Sequence, residues 1–401
     1  MNFSVSPMGC CLPAKVPWER RHGVFQQTLN KYMSNNTLPN FKIGDLTAKI
    51  PIIQGGMGVG ISLSGLASAV ANEGGIGVIA TPGIGMFEPN YIADYLNSNI
   101  RALRKEIRKA RELSEKGILG VNIMCALTDY AAMVRTAVEE KIDIVFSGAG
   151  LPLNLPEYLI KGAKTKLVPI ISSARAAGII CKRWKEKYNY LPDAIVVEGP
   201  LAGGHLGFKL EHIDAPEFRL EALIPEVLKI VRTYEEKYNA SIPVIAAGGI
   251  YTGEDIYKFL NMGVKAIQMA TRFVTTDECD AYIGFKEAYI NCVKEDIVVI
   301  QSPVGMPGRA IRNQFIDDIS KGAKKPFKCP YHCIITCDVV NSPYCIAMVL
   351  SNAKKGEFKE GFAFAGSNAY RAKEIISVKE LINTLIVEYN DAVIRINKDK
   401  K

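Results

Sequence analysis

A chain of 401 residues that is 48% apolar is long enough to bury one large core with additions, and its formal charge of +8 is modest for that length. Its lysines and arginines are scattered rather than run together, so composition argues against a nucleic-acid partner and allows only a general attraction for phosphate-bearing ligands. No stretch of about 18 apolar residues occurs and no charged, apolar, cleavable leader opens the chain, which argues against a membrane partner and for the cytoplasm.

Residues 1–42 carry prolines, polar residues and the cluster Glu19-Arg20-Arg21-His22 without a sustained period, and read as an N-terminal extension. Gly9 lies too far in for N-myristoylation. From Ile43 the pattern changes. Ile50 to Gly58 (IPIIQGGMG) is an apolar strand ending in glycines, followed by helical spacing over Leu63 to Glu73. The same grammar recurs in Gly75–Pro82, Leu119–Met124, Ile142–Gly148, Leu167–Ser173, Ala194–Gly199, Ile242–Ile250 and Ala266–Phe273, with helical segments between. Eight strands alternating with helices favour an α/β fold of the (β/α)8 TIM barrel type over 43–274, although alternation alone also fits an open doubly wound sheet. The long connection Ile84–Gly117 holds RALRKEIRKARELSEKG, whose acids and bases lie three and four apart and predict a solvated helix.

After Phe273 the grammar stops. Residues 275–318 contain a helix-like stretch (AYIGFKEAYINCV), a short strand (IVVIQ) and the loop SPVGMPGRAIR, and read as a cap over the strand ends. Residues 319–401 form a cysteine-rich C-terminal extension whose helices pack on the barrel.

Strand-end glycines recur at Gly55-Gly56, Gly203-Gly204 and Gly248-Gly249, which in a barrel project onto the face where βα loops build active sites. His205, flanked by glycines in EGPLAGGHLGF, is the leading candidate for proton transfer, although that segment alone also fits a turn carrying a loop histidine. Gly248, Gly249, Ala270 and Thr271, at the ends of the seventh and eighth strands, are candidates for a phosphate cradle; tight strand-to-helix packing would explain the same glycines.

Five segments in order, QGGMG, GVNIM, EGPLAGGHLGF, IPVIAAGGI and ATRF, resemble the nitronate monooxygenase (2-nitropropane dioxygenase) family and its relatives, the flavin-dependent enoyl-acyl-carrier-protein reductases. The resemblance covers Ile43 to Phe315 and implies a barrel that binds FMN at its strand ends. It implies that Gln54, Gly55, Gly56 and Met57 border the flavin ring and that the amide of Asn122 bonds its polar edge. It further implies that Gly204, Gly248, Gly249, Ala270 and Thr271 contact ring, ribityl chain or phosphate, and that His205 is the catalytic residue. The implied reaction is oxidative denitrification of nitronates or nitroalkanes through flavin and O₂, with His205 as base. The alternative is NAD(P)H-dependent reduction of an enoyl thioester or quinone, and a reading of another class is a flavin redox sensor or electron-transfer module. Small-molecule substrates are implied throughout, and a homodimer is compatible with the sequence.

Of ten cysteines, Cys329, Cys333, Cys337 and Cys345 cluster as Cys-x3-Cys-x3-Cys-x7-Cys, with His332 among them. In a chain without an export signal such thiols suggest ligands for zinc or an iron–sulfur cluster rather than disulfides. The spacing fits no zinc or ferredoxin signature, and ordinary buried thiols remain the alternative.

Overall fold

A computed structural model describes residues 38–329 and 331–399. The expected extension therefore lies largely outside the described residues, together with Gly9 and the Glu19–His22 cluster. The eight β-rich runs form the eight parallel strands of a closed barrel. In chain order these are β3 (Ile52–Gln54), β4 (Ile76–Ala80), β5 (Ile118–Met124), β6 (Ile144–Gly148), β7 (Lys166–Ile171), β8 (Ile195–Glu198), β10 (Val244–Ala247) and β11 (Ala266–Met269). The barrel shuts where Ile267, Gln268 and Met269 pair with Ile52, Ile53 and Gln54.

Strand periodicity splits each run between two cores. Ile53, Ile76, Val78, Phe146, Val168, Val196 and Ile245 point inward, whereas Ile52, Ile79, Val145, Leu167, Val197 and Ala246 face the surrounding helices. The antiparallel hairpin of β1 (Phe41–Ile43) and β2 (Leu46–Ala48) adds Phe41 and Ile43 to the inner cluster. Gly120 makes room there, since a Cβ on it would lie 2.7 Å from the Phe146 ring.

The helical layer begins with α1 (Ser64–Asn72) and α2 (Tyr95–Leu113), the latter being the expected charged helix. It buries Ala102, Leu103, Ile107 and Ala110, and its outer arginines meet acids on and just after α3 (Tyr130–Glu139), Arg104 pairing with Glu139 and Arg108 with Glu140. These bases are thus occupied by carboxylates. The ring continues with α4 (Ala174–Tyr188), α5 (Leu220–Tyr238) and α6 (Gly253–Asn261), whose start carries a Thr252–Asp255 capping box. The expected eighth strand stops at Met269 because Thr271–Val274 turns into the short helix α7.

Beyond the barrel, α8 (Ile283–Asn291) and β12 (Ile297–Gln301) appear as expected, but the loop assigned to SPVGMPGRAIR is wrong. Pro307–Ile311 forms β13, antiparallel to β12, and its far edge pairs with Gly204–His205, designated β9. The period there is masked by a proline and a glycine at the start of the strand. The C-terminal part adds α9 (Gln314–Ser320), α10 (Ile346–Lys354) and α11 (Val378–Asp399). α11 packs so closely on α6 that a Cβ on Gly253 would lie 2.3 Å from the Leu385 carbonyl oxygen.

Arg309 on β13 is 5% exposed, and its guanidinium donates to the carbonyls of Pro200 and of Ala202, the latter at 2.7 Å. Arg309→Met leaves both buried carbonyls without a donor and should cost about 3 kcal/mol of stability in urea unfolding. Arg108→Met, which removes only an exposed ion pair, should leave the midpoint unmoved.

Candidate functional site

The C-terminal ends of the barrel strands open into one cavity of about 310 Å³. Gly55, Gly56, Met57, Asn122, Gly204, His205, Gly248, Gly249, Ala270 and Thr271 all line it. Gln54 does not. It is fully buried behind the wall, where its Oε1 accepts the Val78 N–H at 2.9 Å and its amide donates to the Gly55 carbonyl, so it ties β3 to β4. Outward orientation at the last residue of a three-residue strand is not legible without the register of its neighbours.

Gly248 and Gly249 have φ of +92° and +86°, which side chains with a Cβ rarely adopt. They turn the chain sharply after β10, and a Cβ on Gly248 would lie 2.7 Å from the Gly199 carbonyl oxygen. The backbone at the strand ends is therefore close-packed and bare. Among the described residues no lysine or arginine lines the cavity. Cationic charge sits just behind this end, where Arg272 and Arg371 stack on the Tyr251 ring at 4.7 and 4.4 Å.

His205 is held from three sides. Its backbone pairs with Gly308, its ring Nε2 lies 2.8 Å from the Ser302 hydroxyl, and the Phe364 ring meets it edge-on at 4.9 Å between centroids. Ser302 is itself buried at the end of the β12–β13 hairpin, and Phe364 has its carbonyl fixed by the Tyr289 hydroxyl at 2.6 Å. Burial lowers the His205 pKa to about 4, so the imidazole is neutral across the physiological range.

Glu198, at the end of β8, also lines the cavity. Among the described residues its carboxyl has no hydrogen-bond or ion-pair partner, and burial raises its pKa to about 7. A terminal Glu in VVEG reads from sequence as an ordinary strand-end polar residue, so only the cavity identifies it.

The far wall comes from the C-terminal part, which sequence reasoning left without a role. Ile346, Ala347 and Leu350 of α10 line it, with Phe364, Ala365 and Gly366. Gly366 slots between Gly203 and Thr271, and a Cβ there would lie 2.5 Å from Thr271 Oγ1. Next to it, the Ser367 backbone N–H donates to the Leu201 carbonyl at 3.2 Å while its hydroxyl oxygen is buried without a partner. The repeated small residues of GFAFAGSNAYR were the available signal.

Cys333 and Ile334 complete the wall on the side of β5. Burial, then the nearby thiols of Cys345, Cys329 and Cys337, push the Cys333 pKa up to about 12. Among the described residues no group of three or more His, Cys, Asp or Glu side chains is placed to hold a metal ion. The expectation of zinc or an iron–sulfur cluster on Cys329, Cys333, Cys337 and Cys345 is therefore not met among the described residues. His332 is no ligand either, because its Nε2 lies 3.1 Å from the Cys337 carbonyl oxygen.

The nitronate monooxygenase family profile matches residues 40–388, well past Phe315 and through the cysteine-rich segment. A Staphylococcus aureus (strain MSSA476) protein named "Probable nitronate monooxygenase" is 28% identical over 302 residues, which is 69% of this chain and 79% of that protein. The solved structure of FabK from Thermotoga maritima superposes with a TM-score of 0.67 at 27% identity, covering 88% of this chain and 96% of that one. A nitroalkane oxidase from Streptomyces ansochromogenes shares the fold, with a TM-score of 0.66 at 22% identity over 87% of this chain and 98% of its own. The chain belongs to the nitronate monooxygenase family and is a flavin-dependent oxidoreductase of that type.

Proposed function

We propose that the chain binds FMN in this cavity and oxidises nitronates and nitroalkanes with O₂, with His205 as the base that acts on the neutral nitroalkane. The observation that carries this reading is a neutral histidine, braced by Ser302 and Phe364, in the wall of a cavity edged by the glycine-rich ends of five barrel strands. Residues 43–274 are then the flavin-binding barrel, with 275–318 and the following extension closing over it.

The residues present fit the cofactor. Gly55, Gly56, Met57 and Asn122 offer a flat, small-residue wall for a ring system. At the other end, a phosphate would be held by backbone N–H groups of Gly248, Gly249 and Ala270 and by the Thr271 hydroxyl. When bound, FMN supplies the redox chemistry, taking electrons from a nitronate for delivery to O₂.

The chain's own task is the proton. A nitroalkane enters uncharged and His205 is uncharged, so transfer of the α-proton to the ring creates an imidazolium–nitronate pair with no change in net charge. In a cavity without lysine or arginine that pair is stabilised chiefly by its own proximity. Ser302 keeps the ring aimed. Glu198, its pKa raised by burial to about 7, keeps its proton in about half of the molecules at neutrality and so adds less competing negative charge than an ordinary carboxylate to a site that must form an anion.

The likeness to FabK favours a second reading, enoyl thioester reduction with NAD(P)H as donor, in which His205 would handle the proton of the reduced product. Anaerobic reduction with NADH or NADPH, then reoxidation by nitronate, crotonyl thioester, quinone or O₂, separates the two readings by acceptor.

Purified protein should be yellow with stoichiometric FMN, and failure to take up FMN on reconstitution would sink the proposal. His205→Gln should keep the flavin and its activity on pre-formed nitronate while losing at least about 10²-fold in kcat/KM on the neutral nitroalkane. With wild-type protein the acid limb of that kcat/KM profile should fall well below pH 6, towards the His205 pKa of about 4. In the apoprotein, Glu198 holds its proton up to about pH 7, whereas the unfolded chain releases it near 4.5. Wild-type stability should therefore decline as pH rises between those values. Glu198→Gln should remove that decline, a difference of about 3 kcal/mol above pH 7 in urea titrations.

A further inference from the structure

The loop that follows β3 reads Gly-Gly-Met-Gly-Val-Gly-Ile-Ser from Gly55 to Ser62, and one residue in it does not suit its own backbone. Val59 sits at a φ of +54°, in the left-handed region. Of seven non-glycine residues with positive φ among the described residues, three are asparagines, which tolerate that region, and Val59 alone is β-branched. Its branched Cβ crowds the backbone there, at a cost that persists only where the surroundings enforce the conformation.

The surroundings do enforce it. The Val59 N–H donates to the Pro82 carbonyl at 2.6 Å. Across the neck of the loop, the Met57 N–H donates to Ser62 Oγ at 2.9 Å and the Ser62 N–H to the Met57 carbonyl at 3.1 Å. Beyond the valine, Gly60 is wedged against α10: a Cβ on it would lie 2.5 Å from Lys354 Nζ and 2.8 Å from the Phe87 ring, and that amine stands over the same ring at 3.8 Å. Ile61 is anchored in turn, its carbonyl accepting the Asp280 N–H at 3.2 Å.

A loop that needed only the bend would use glycine, which makes it without strain, as Gly60 does at a φ of +72°. A core that needed only an apolar filler would carry one on relaxed backbone. Valine held at positive φ means that the bend and the side chain are both required. That side chain belongs to the cavity wall. Val59 is 5% exposed and lines the cavity together with Ile61, Pro82 and Gly83, and its Cγ2 packs so near Gly83 that a Cβ there would approach it to 3.4 Å. A valine has few rotamers and this loop is tied on every side, so the wall is rigid here.

Given the nitronate reading on which this rests, we propose that Val59 is a specificity-determining residue. Its isopropyl group, fixed by the strained loop, narrows the cavity so that slender, unbranched nitronates enter and branched or cyclic ones are rejected. Trimming two or three carbon atoms from a rigid apolar wall changes discrimination by about 10-fold or more.

The test uses the full-length holoprotein and reads anaerobic flavin reduction by pre-formed ethyl and cyclohexyl nitronates, with urea midpoints measured alongside. Wild type should favour ethyl over cyclohexyl nitronate by at least about 10-fold in the second-order rate constant. Val59→Gly should lower that preference by at least about 10-fold, through tighter binding of the cyclic substrate, and Val59→Ala, which keeps the strained backbone but trims the side chain, by about 3-fold. Lys141→Gly, which relieves a left-handed residue at an exposed helix end, should leave the preference where it is. A wild type without preference, a preference unmoved in both Val59 variants, or an equal loss for both substrates would each overturn the proposal. If Val59→Gly does not fold, the ratio in Val59→Ala decides on the same terms. Flavin reduction by both nitronates with an unmoved ratio sinks the role of Val59 alone, whereas a holoprotein reduced by neither sinks the nitronate reading and the role of Val59 with it.

Discussion

The site depends on one short antiparallel pairing. Gly204 and His205 lie opposite Arg309 and Gly308, and the buried Arg309 guanidinium reaches past that pairing to the carbonyls of Pro200 and Ala202. A loop following a barrel strand would otherwise be free to place His205 in many ways. Here the loop becomes the third strand of a sheet whose other two strands come from about 100 residues later in the chain. The same hairpin delivers Ser302 to the imidazole, so backbone register and ring orientation are set together.

The cavity's electrostatics follow from what is missing as much as from what is present. Bare backbone at the glycine-rich strand ends supplies donors, Arg272 and Arg371 are turned onto Tyr251, and burial shifts both His205 and Glu198 towards their neutral forms. Such a site suits chemistry in which charge is created within the pocket rather than carried into it. Cys333 and Ile334 of the cysteine-rich segment and Gly366 then form walls of the same chamber.

Much of the barrel was legible because each strand is a continuous β-branched run buried on both sides, and such runs need no partner to be recognised. Glycines at the strand ends were legible for a similar local reason, and they converge because a barrel puts every strand's C-terminal end on one face. Gln54 shows where that reasoning stops. Its place beside Gly55 suggested the cavity, but the pleat turns its amide onto the backbone of β4. Zinc at the four cysteines failed likewise, because spacing along the chain says nothing of how far apart sulfurs sit once the loop is docked on Ala126 and Thr128.

By itself the sequence determined the barrel, the end of it that carries the site, and the histidine in a glycine frame, since these rest on local pattern and on a topology with one hand and one active face. Only the tertiary structure decided that Glu198 stands in the cavity without a partner among the described residues, that Ser302 and Phe364 brace His205, and that Gly366 closes on Gly203 and Thr271. The physical reason is separation: the groups that meet lie about 95 to 165 residues apart in the chain, and each alone is a single residue without a periodic signature. Their roles come from burial and contact, which exist only when distant segments pack.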